Sequence, residues 1–394
     1  MEIIPIKSLA QYIEHLSSLS MKTFYRGENA LFDQHNAGMF RVMDVENGER
    51  CYNYSTMLKQ FWNETSYKLS EKEKTCFIAF AQHYGLPTNL LDITTSPLVA
   101  LFFACQPNNR KQLLEKHPAD APQKVAEMFV NHEVQKLFLS YYEDWGYVYT
   151  SDLYIDATSL IEQLDGKNFI DYYFLSSEEQ LVAMLPLFQQ FKYHHPQEFT
   201  NLWDNLALTI ECTADEFLDF DDVDIKKLYN FFAQNNKPLN HKSINRFLKK
   251  KFYSLKESVD CFDVDVVNYV FMISFYISIE KKFGNDDESV TYLPNLLYCP
   301  TITFERGLNQ RGAFFYQSYF TYRNDLLSFE NDYTSVALQE IDFSSKIFQI
   351  KNKKQILNEL DQIGINRMTI WGDFDNIAAY IREKFSSKEK LQIP

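Results

Sequence analysis

The stretch from residue 80 to residue 105, FAQHYGLPTNLLDITTSPLVALFFAC, constrains the fold more than any other part of the sequence. A helix is predicted to begin just before it at Ser70, which lies three residues ahead of a glutamate, the spacing of a capping box. Gly85 can end that helix in a left-handed conformation, and the proline two residues later prevents its continuation. The apolar run 90–93 then predicts a buried strand, and hydroxyl side chains precede Pro97 in the first turn of another helix. The stretch therefore predicts helix, strand and buried helix in close succession.

Polar side chains stand at the joints between these elements: Gln82, His83, Asp92, Thr94 and Ser96. Apolar frameworks that present polar groups at their joints are typical of binding and catalytic sites. The same residue types also cap helices and satisfy turns. Both interpretations stay open at this point, and His83 in particular is either an acid/base group or a helix-end histidine bonded to a carbonyl.

The composition predicts a folded, soluble chain. Of 394 residues, 45% are hydrophobic and 23% are charged, which is enough for a sizeable core. The net charge of −14 disfavours undirected binding to nucleic acid or to an anionic membrane. The six cysteines are far apart without a CxxC pair, which favours reduced thiols. Because there is also no secretory leader and the apolar run 266–279 is too short to span a bilayer, we expect a cytoplasmic protein.

Strand and helix patterns alternate at both ends of the chain. Short runs rich in aromatic and β-branched residues predict strands at residues 23–26, 147–150, 301–304, 343–350 and 367–371. Periodic patterns predict helices over 5–20, 55–67, 125–142 and 353–363, and a final helix capped by Asp375 with a core face at Ile377, Ile381 and Phe385. The predicted strand over residues 23–26 is followed by Gly27. Because glycine has no side chain, the backbone there is free to turn or to let a ligand approach.

The middle of the chain, residues 156–290, is mostly helical and rich in aromatic residues. An acidic run at 215–224 lacks the glycine and distal glutamate of a calcium loop, so a solvated loop is expected there. A basic run at 242–251 is either a phosphate contact or, more simply, a solvated helix face. The aromatic residues are either a subunit interface, which would allow an oligomer, or the core of packed helices.

Several familiar catalytic motifs are absent from the sequence. There is no P-loop, GxGxxG, HExxH or GxSxG motif. Metal-dependent chemistry and serine hydrolysis are therefore not expected, and no metal site is predicted. A nuclease would need clustered carboxylates at strand ends, which the sequence does not supply.

Three separated segments resemble the FRG domain family. Tyr25-Arg26-Gly27 matches the aromatic-Arg-Gly motif, and residues 82–104 resemble the family segment QHYGLPTRLLDWTxxPLVALFFA. Asn89 stands where the family usually has Arg, and Ile93 where it has Trp, which puts an anion contact by that Arg in doubt. A third signature, an Arg, a Gln and Gly-x-Phe, is matched by Arg306, Gln310, Gly312 and Phe314.

The order of these segments is also similar to that of Arg-Ser-Glu type ADP-ribosyltransferases. In those enzymes a strand ends in Arg-Gly, a second carries Ser or Thr before a buried helix, and a third presents Glu or Gln. The resemblance implies an α+β fold with an ADP-ribosyltransferase-like mixed β core flanked by helices. Residues 1–155 and 291–394 would form the two parts of this core, and the helical segment 156–290 would be inserted between them.

The same resemblance implies NAD⁺ as substrate and an unidentified protein or nucleic acid as acceptor, with no membrane partner. Candidate catalytic residues are Arg26, Thr94, Ser96, Gln310 and Glu305, and candidate NAD⁺-binding residues are Tyr25, Gly27, His83, Tyr84 and Arg306. An arginine fork suits a phosphate, a hydroxyl can orient a ribose, and a carboxylate or amide dipole can stabilise an oxocarbenium-like centre.

Two functions follow from these residues. One is an NAD⁺-dependent transferase or NAD⁺ hydrolase, of the kind that acts as a toxin or a defence effector. The other is a non-catalytic module that binds a nucleotide or a partner in the same pocket. An amide at Gln310, in place of a catalytic glutamate, keeps the second interpretation open.

Overall fold

The structure, a computed structural model, describes eleven stretches of the chain. They are residues 3–32, 35–41, 43–45, 48–50, 54–107, 144–216, 260–283, 292–301, 304–323, 334–343 and 346–386. The predicted helix 125–142, the basic run 242–251 and most of the acidic run 215–224 lie outside these residues. Within them, no helix is both long and apolar enough to cross a bilayer.

Eight strands form one mixed sheet with the order β1-β12-β6-β2-β5-β9-β8-β7. The β1/β12 and β7/β8 pairs are parallel and the other neighbours are antiparallel. Two small hairpins, β3/β4 and β10/β11, lie apart from this sheet. The strands are β1 (Ile3–Ile6), β2 (Phe24–Glu28), β3 (Met43–Val45), β4 (Gly48–Arg50), β5 (Leu90–Thr94), β6 (Gly146–Ser151), β7 (Tyr154–Asp156), β8 (Asn295–Tyr298), β9 (Gly312–Tyr316), β10 (Tyr319–Arg323), β11 (Thr334–Leu338) and β12 (Lys346–Ile350).

Fifteen α-helices lie in the described residues, together with two 3₁₀ turns at Gly38–Phe40 and Ser66–Lys68. The helices are α1 (Leu9–Leu16), α2 (Tyr54–Thr65), α3 (Glu71–Thr75), α4 (Phe77–His83), α5 (Pro97–Ala104), α6 (Thr158–Glu162), α7 (Phe169–Tyr173), α8 (Glu178–Ala183), α9 (Leu185–His194), α10 (Pro196–Glu216), α11 (Val264–Phe283), α12 (Glu305–Asn309), α13 (Lys353–Gln362), α14 (Arg367–Trp371) and α15 (Phe374–Phe385). The fold is therefore mixed α+β, as the sequence predicted at that level.

The central stretch folds largely as its local sequence predicts. Ser70 forms the expected capping box, although the helix is interrupted at Cys76 and continues as α4. Gly85 adopts φ +91°, and the bonds Gly85 N to Gln82 O and Leu86 N to Ala81 O close α4 as a Schellman motif. Ser96 then caps α5 ahead of Pro97. Helix α4, strand β5 and helix α5 therefore follow one another in the predicted order.

Two glycines let helix α5 lie directly on the sheet. A Cβ at Gly27 would stand 1.8 Å from the carbonyl oxygen of Ala100, and one at Gly146 would stand 2.0 Å from that of Ala104. The two alanines are one helical turn apart and the two glycines lie on the adjacent strands β2 and β6. Gly27 therefore sits inside a strand, where no turn occurs, and it admits a helix backbone on its Cβ side.

Two hydrophobic clusters cover the same face of the sheet, since side chains of alternate strand residues share a face. Helices α1, α5, α13 and α14 pack over β1, β12, β6 and β2, with Tyr12 and Phe348 fully buried. Helices α4 and α6 to α11 pack over the other half, where Phe169 meets Tyr316 of β9. A third cluster, around Phe315, covers the opposite face. The boundary between the first two clusters runs between α4 and α5.

Two sequence predictions are wrong in the described residues. Residues 367–371 form helix α14, because Asn366 and Thr369 make a reciprocal capping box that outweighs the strand propensity of the β-branched residues. Two residues of the strand expected at 301–304, residues 302 and 303, lie outside the described residues; Phe304 precedes α12, and strand β8, at Asn295–Tyr298, was not predicted. The last helix is capped by Asp373, not Asp375, and its apolar side is exposed to solvent. The amino-terminal edge strand β1 was not predicted.

Candidate functional site

A cleft of about 300 Å³ opens at the boundary between α4 and α5. Strands β2, β5 and β9 form its floor, α4 and α5 form its two sides, and Phe304 with helix α12 closes one end. Its lining residues come from three distant parts of the chain: Tyr25, Arg26, Gly27, Ala79, Gln82, His83, Asp92, Ile93, Thr94, Val99, Phe103, Phe304, Arg306, Gly307, Gln310, Gly312, Ala313 and Phe314. The three segments singled out in the sequence therefore converge on one cleft.

Strands β2 and β5 separate at the cleft floor. They pair only at Tyr25 and Thr94 among the described residues. Beyond that pair, Arg26 Nη1 donates to the main-chain carbonyl of Asp92 over 2.7 Å, and Arg26 Nε donates to Glu28 over 2.7 Å. The Arg26 side chain thus replaces main-chain pairing between the two strands, and its guanidinium retains further N–H donors for a ligand.

The ion pair beneath the cleft is buried. Glu28 is 6% exposed and contacts both Arg26 and His35, whose Nδ1 lies 3.3 Å from Glu28 Oε2. Burial alone raises the pKa of the Glu28 carboxyl, but the Arg26 charge and the His35 contact together lower the pKa to about 2. Arg26 is therefore held in place by a carboxylate on its own strand.

The Thr94 hydroxyl joins β5 to the segment that carries Gln310. It donates to the main-chain oxygen of Gln310 over 2.7 Å and accepts from Ser96 N over 2.9 Å. The Gln310 side chain is different, because its buried Nε2 donates to no protein group in the described residues. A buried donor without an acceptor is costly, so this amide is available to donate a hydrogen bond to a ligand.

A stacked pair of rings lines one side of the cleft. His83 lies parallel to Phe304, with 4.1 Å between ring centroids and 15° between the planes. Burial and the nearby Arg306 guanidinium lower the pKa of His83 below its ordinary value. The imidazole is therefore neutral near pH 7, and it offers a flat surface and one exchangeable proton rather than a charge.

The sequence interpretation missed a further polar group in the cleft. Gln82 Nε2 donates to Asp92 Oδ1 over 2.8 Å, and Thr88 donates its hydroxyl proton to Gln82 Oε1. Asp92 is the sole carboxylate among the described lining residues. The sequence marked Gln82 and Asp92 as joint residues, but no local signal showed that their side chains meet.

Three candidate residues do not line the cleft. Ser96 caps α5 by accepting from Val99 N. Glu305 lies beside Gly372, and Tyr84 is 64% exposed and packs on Phe80. Asn89, which replaces the usual family arginine, is also outside the cleft: it is fully buried and donates to the Gln317 carbonyl. The expected carboxylate therefore does not come from Glu305.

Charged groups of both signs stand at the cleft, although the whole chain carries a net charge of −14. Arg26 and Arg306 face the cleft together with Asp92, and Arg26 is paired with the buried Glu28. The guanidinium N–H groups that these pairs leave over can donate to a ligand with negative groups. In the part of the chain that the structure describes, no group of three or more His, Cys, Asp or Glu side chains is arranged to hold a metal ion.

Comparison with known proteins agrees with the central motifs. The model of the FRG domain matches residues 21–113, a range that includes β2, α4, β5 and α5. No curated protein and no solved structure gives a match. The third segment, around Gln310, lies outside the matched range and is linked to it through the cleft. The chain therefore contains an FRG domain at residues 21–113.

Proposed function

We propose that the cleft binds NAD⁺ and that the protein cleaves its glycosidic bond, passing the ADP-ribosyl group to water or to a macromolecular acceptor. The observation that carries the proposal is the convergence of Arg26, Thr94 and Gln310, from three distant segments, on one cleft. The three segments follow one another in the same order as the three motifs of the ADP-ribosyltransferases that the sequence resembles.

The chemistry of the lining residues suits a dinucleotide. The Arg26 and Arg306 guanidiniums match phosphate or ribose oxygens. The stacked His83 and Phe304 rings offer a surface for a base or a nicotinamide ring. The unpaired Gln310 amide can donate to a ribose hydroxyl or a phosphate oxygen.

The size of the cleft limits how NAD⁺ is held. Its volume of about 300 Å³ is at the low end of the usual range of about 300–1,000 Å³ for small-molecule sites. We expect the nicotinamide–ribose half to enter the cleft, and the adenosine half to lie across its mouth near the exposed Arg306.

A second function is favoured by a specific observation. Glu305 lies away from the cleft, and the Thr94 hydroxyl is already used in two structural hydrogen bonds. A protein with this arrangement can bind a nucleotide without cleaving it. The alternative is therefore a non-catalytic FRG module that holds a nucleotide or a partner group.

One experiment separates the two functions. Purified protein is titrated with NAD⁺ by calorimetry and then incubated with NAD⁺, with and without cell lysate, while free nicotinamide is measured. Binding with release of nicotinamide supports the enzyme, and binding without release supports the module. If neither binding nor release is detected, the enzyme proposal fails, and so does a module that binds NAD⁺.

The Arg26→Lys variant tests the role of the cleft. Lysine keeps the charge opposite Glu28 but loses the planar fork and its bond to Asp92 O, so we expect at least a tenfold loss in NAD⁺ affinity or turnover, about 1.4 kcal/mol. Arg382→Lys on the exposed side of α15 is the matched control and should behave as wild type. Unchanged binding and turnover in the Arg26 variant would remove Arg26 from the site.

A further inference from the structure

The described lining of the cleft contains one carboxylate, that of Asp92, which belongs to the FRG-like segment but was not among the candidate catalytic residues. Asp92 lies in the middle of β5 and is exposed to the cleft, and in the sheet it is paired with Phe314 of the neighbouring strand β9. Glu305, the carboxylate nominated by the motif order, points toward Gly372 instead. The carboxylate that the cleavage of a glycosidic bond requires is therefore available from β5, in the second of the three segments, and not from Glu305 in the third.

Asp92 is fixed from two sides. Its main-chain oxygen accepts from Arg26 Nη1 over 2.7 Å, which holds the backbone at the point where β2 and β5 separate. Its Oδ1 accepts from Gln82 Nε2 over 2.8 Å, and Gln82 is itself fixed because its Oε1 accepts the Thr88 hydroxyl proton. Since Thr88 is only 1% exposed, this chain of bonds is anchored in the core.

One oxygen of the carboxylate is left for a ligand. Asp92 Oδ2 accepts no hydrogen bond from the residues that the structure describes. An exposed surface aspartate would normally move between rotamers, whereas the Gln82 bond restrains this one in a cleft that Arg26 and Gln310 also line. Pre-organised charge of this kind is what stabilises a developing positive centre.

We propose that Asp92 is the catalytic carboxylate of the glycosidic cleavage, and that Gln82 is its positioning residue. The inference rests on the proposed NAD⁺-cleaving function. The bond from ribose C1′ to the nicotinamide nitrogen breaks, both electrons leave with neutral nicotinamide, and Asp92 Oδ2 stabilises the electron-poor C1′. A hydroxyl of water or of the acceptor then bonds to C1′, and its proton passes to Asp92 and on to solvent.

The first test is Asp92→Asn, which keeps the shape and can still accept the Gln82 bond through its amide oxygen. We expect nicotinamide release to fall by about 10²–10⁴-fold, the usual contribution of a general base, while the Kd for NAD⁺ measured by calorimetry stays close to wild type. Asp204→Asn, at an exposed position on α10, is the matched control and should keep full activity.

The second test concerns Gln82. Gln82→Leu should lower kcat by up to about 10²-fold with little change in KM, because it frees Asp92 without removing a ligand contact. In the Asp92→Asn background the same substitution should have almost no further effect on kcat. A purely structural role of Gln82 would instead lower kcat equally in both backgrounds.

The outcomes separate this inference from the proposed function. If wild type releases nicotinamide and Asp92→Asn releases it at the same rate, the role of Asp92 is refuted and the enzyme function stands. Loss of release in Glu305→Gln with retention in Asp92→Asn also refutes the assignment. If wild type itself releases no nicotinamide in buffer or lysate, both proposals fall together.

Discussion

The buried Glu28 makes the stability of this protein depend on pH in a defined window. Its carboxylate contacts Arg26 at 2.7 Å and His35 at 3.3 Å, and these contacts hold its pKa at about 2 against an ordinary value of 4.5. At about 1.36 kcal/mol per pH unit, this difference corresponds to about 3 kcal/mol of folding free energy. That is a large part of the net stability of an ordinary domain, about 5–15 kcal/mol.

The lowered pKa of Glu28 determines how the stability of the protein changes with pH. A carboxyl whose pKa is lower in the folded state stabilises the fold above its unfolded value and loses that contribution as the pH falls. We therefore expect the Glu28 contribution to be complete above about pH 5 and to vanish between about pH 4.5 and pH 2.

The experiment is urea unfolding of wild type and Glu28→Gln at several pH values from 7 to 3. Glutamine is similar in shape and lacks the charge, so the variant should be less stable at pH 7 by about 3 kcal/mol, and the difference should shrink as the pH falls. Glu14→Gln, on the exposed side of α1, is the matched control and should follow wild type. A difference that is zero at pH 7, or is equal at pH 7 and pH 3, would refute the reasoning.

Two further substitutions test packing, one where α5 meets the sheet beside the cleft and one inside helix α11. Gly27→Ala would place a Cβ 1.8 Å from Ala100 O, so α5 must move. We expect the free energy of unfolding measured in urea to fall by about 1–3 kcal/mol. Gly38→Ala is the control and should change stability little, because its Cβ would have no neighbour closer than 3.8 Å. Asn268 of α11 is 1% exposed and neither atom of its amide has a partner in the described chain, so Asn268→Leu should raise stability by about 1–3 kcal/mol. A loss of stability in the Asn268 variant, or an unchanged Gly27 variant, would contradict these contacts.

Local sequence was sufficient where the deciding interactions are local. Ser70, Gly85 and Ser96 set helix ends through bonds to neighbours a few residues away, and each acts as predicted. The same type of local signal was available at Asn366, whose capping box with Thr369 starts α14. There the β-branched composition of the following residues was given too much weight, and a strand was predicted.

Gly27 shows a different limit of sequence interpretation. A glycine after an arginine at a strand end suggests a turn or a ligand contact, and the same residue is also needed where two backbones meet. The packing of α5 on β2 shows that this glycine is needed where two backbones meet, and that packing depends on Gly146 on the next strand as well. No window of neighbouring residues contains both glycines and the helix.

The sequence by itself determined the mixed α+β class, the elements from residue 70 to residue 105, and the three segments that carry polar groups. It also identified Arg26, Thr94 and Gln310 as candidate site residues, because each lies in a motif that can be recognised along the chain. The tertiary structure decided which side chains face one another. Gln82 meets Asp92 across the turn that joins α4 to β5, and Glu305 lies beside Gly372, far along the chain, and not in the cleft. Periodicity and capping report only contacts within a few residues, so the carboxylate of the cleft could be assigned only from the folded chain.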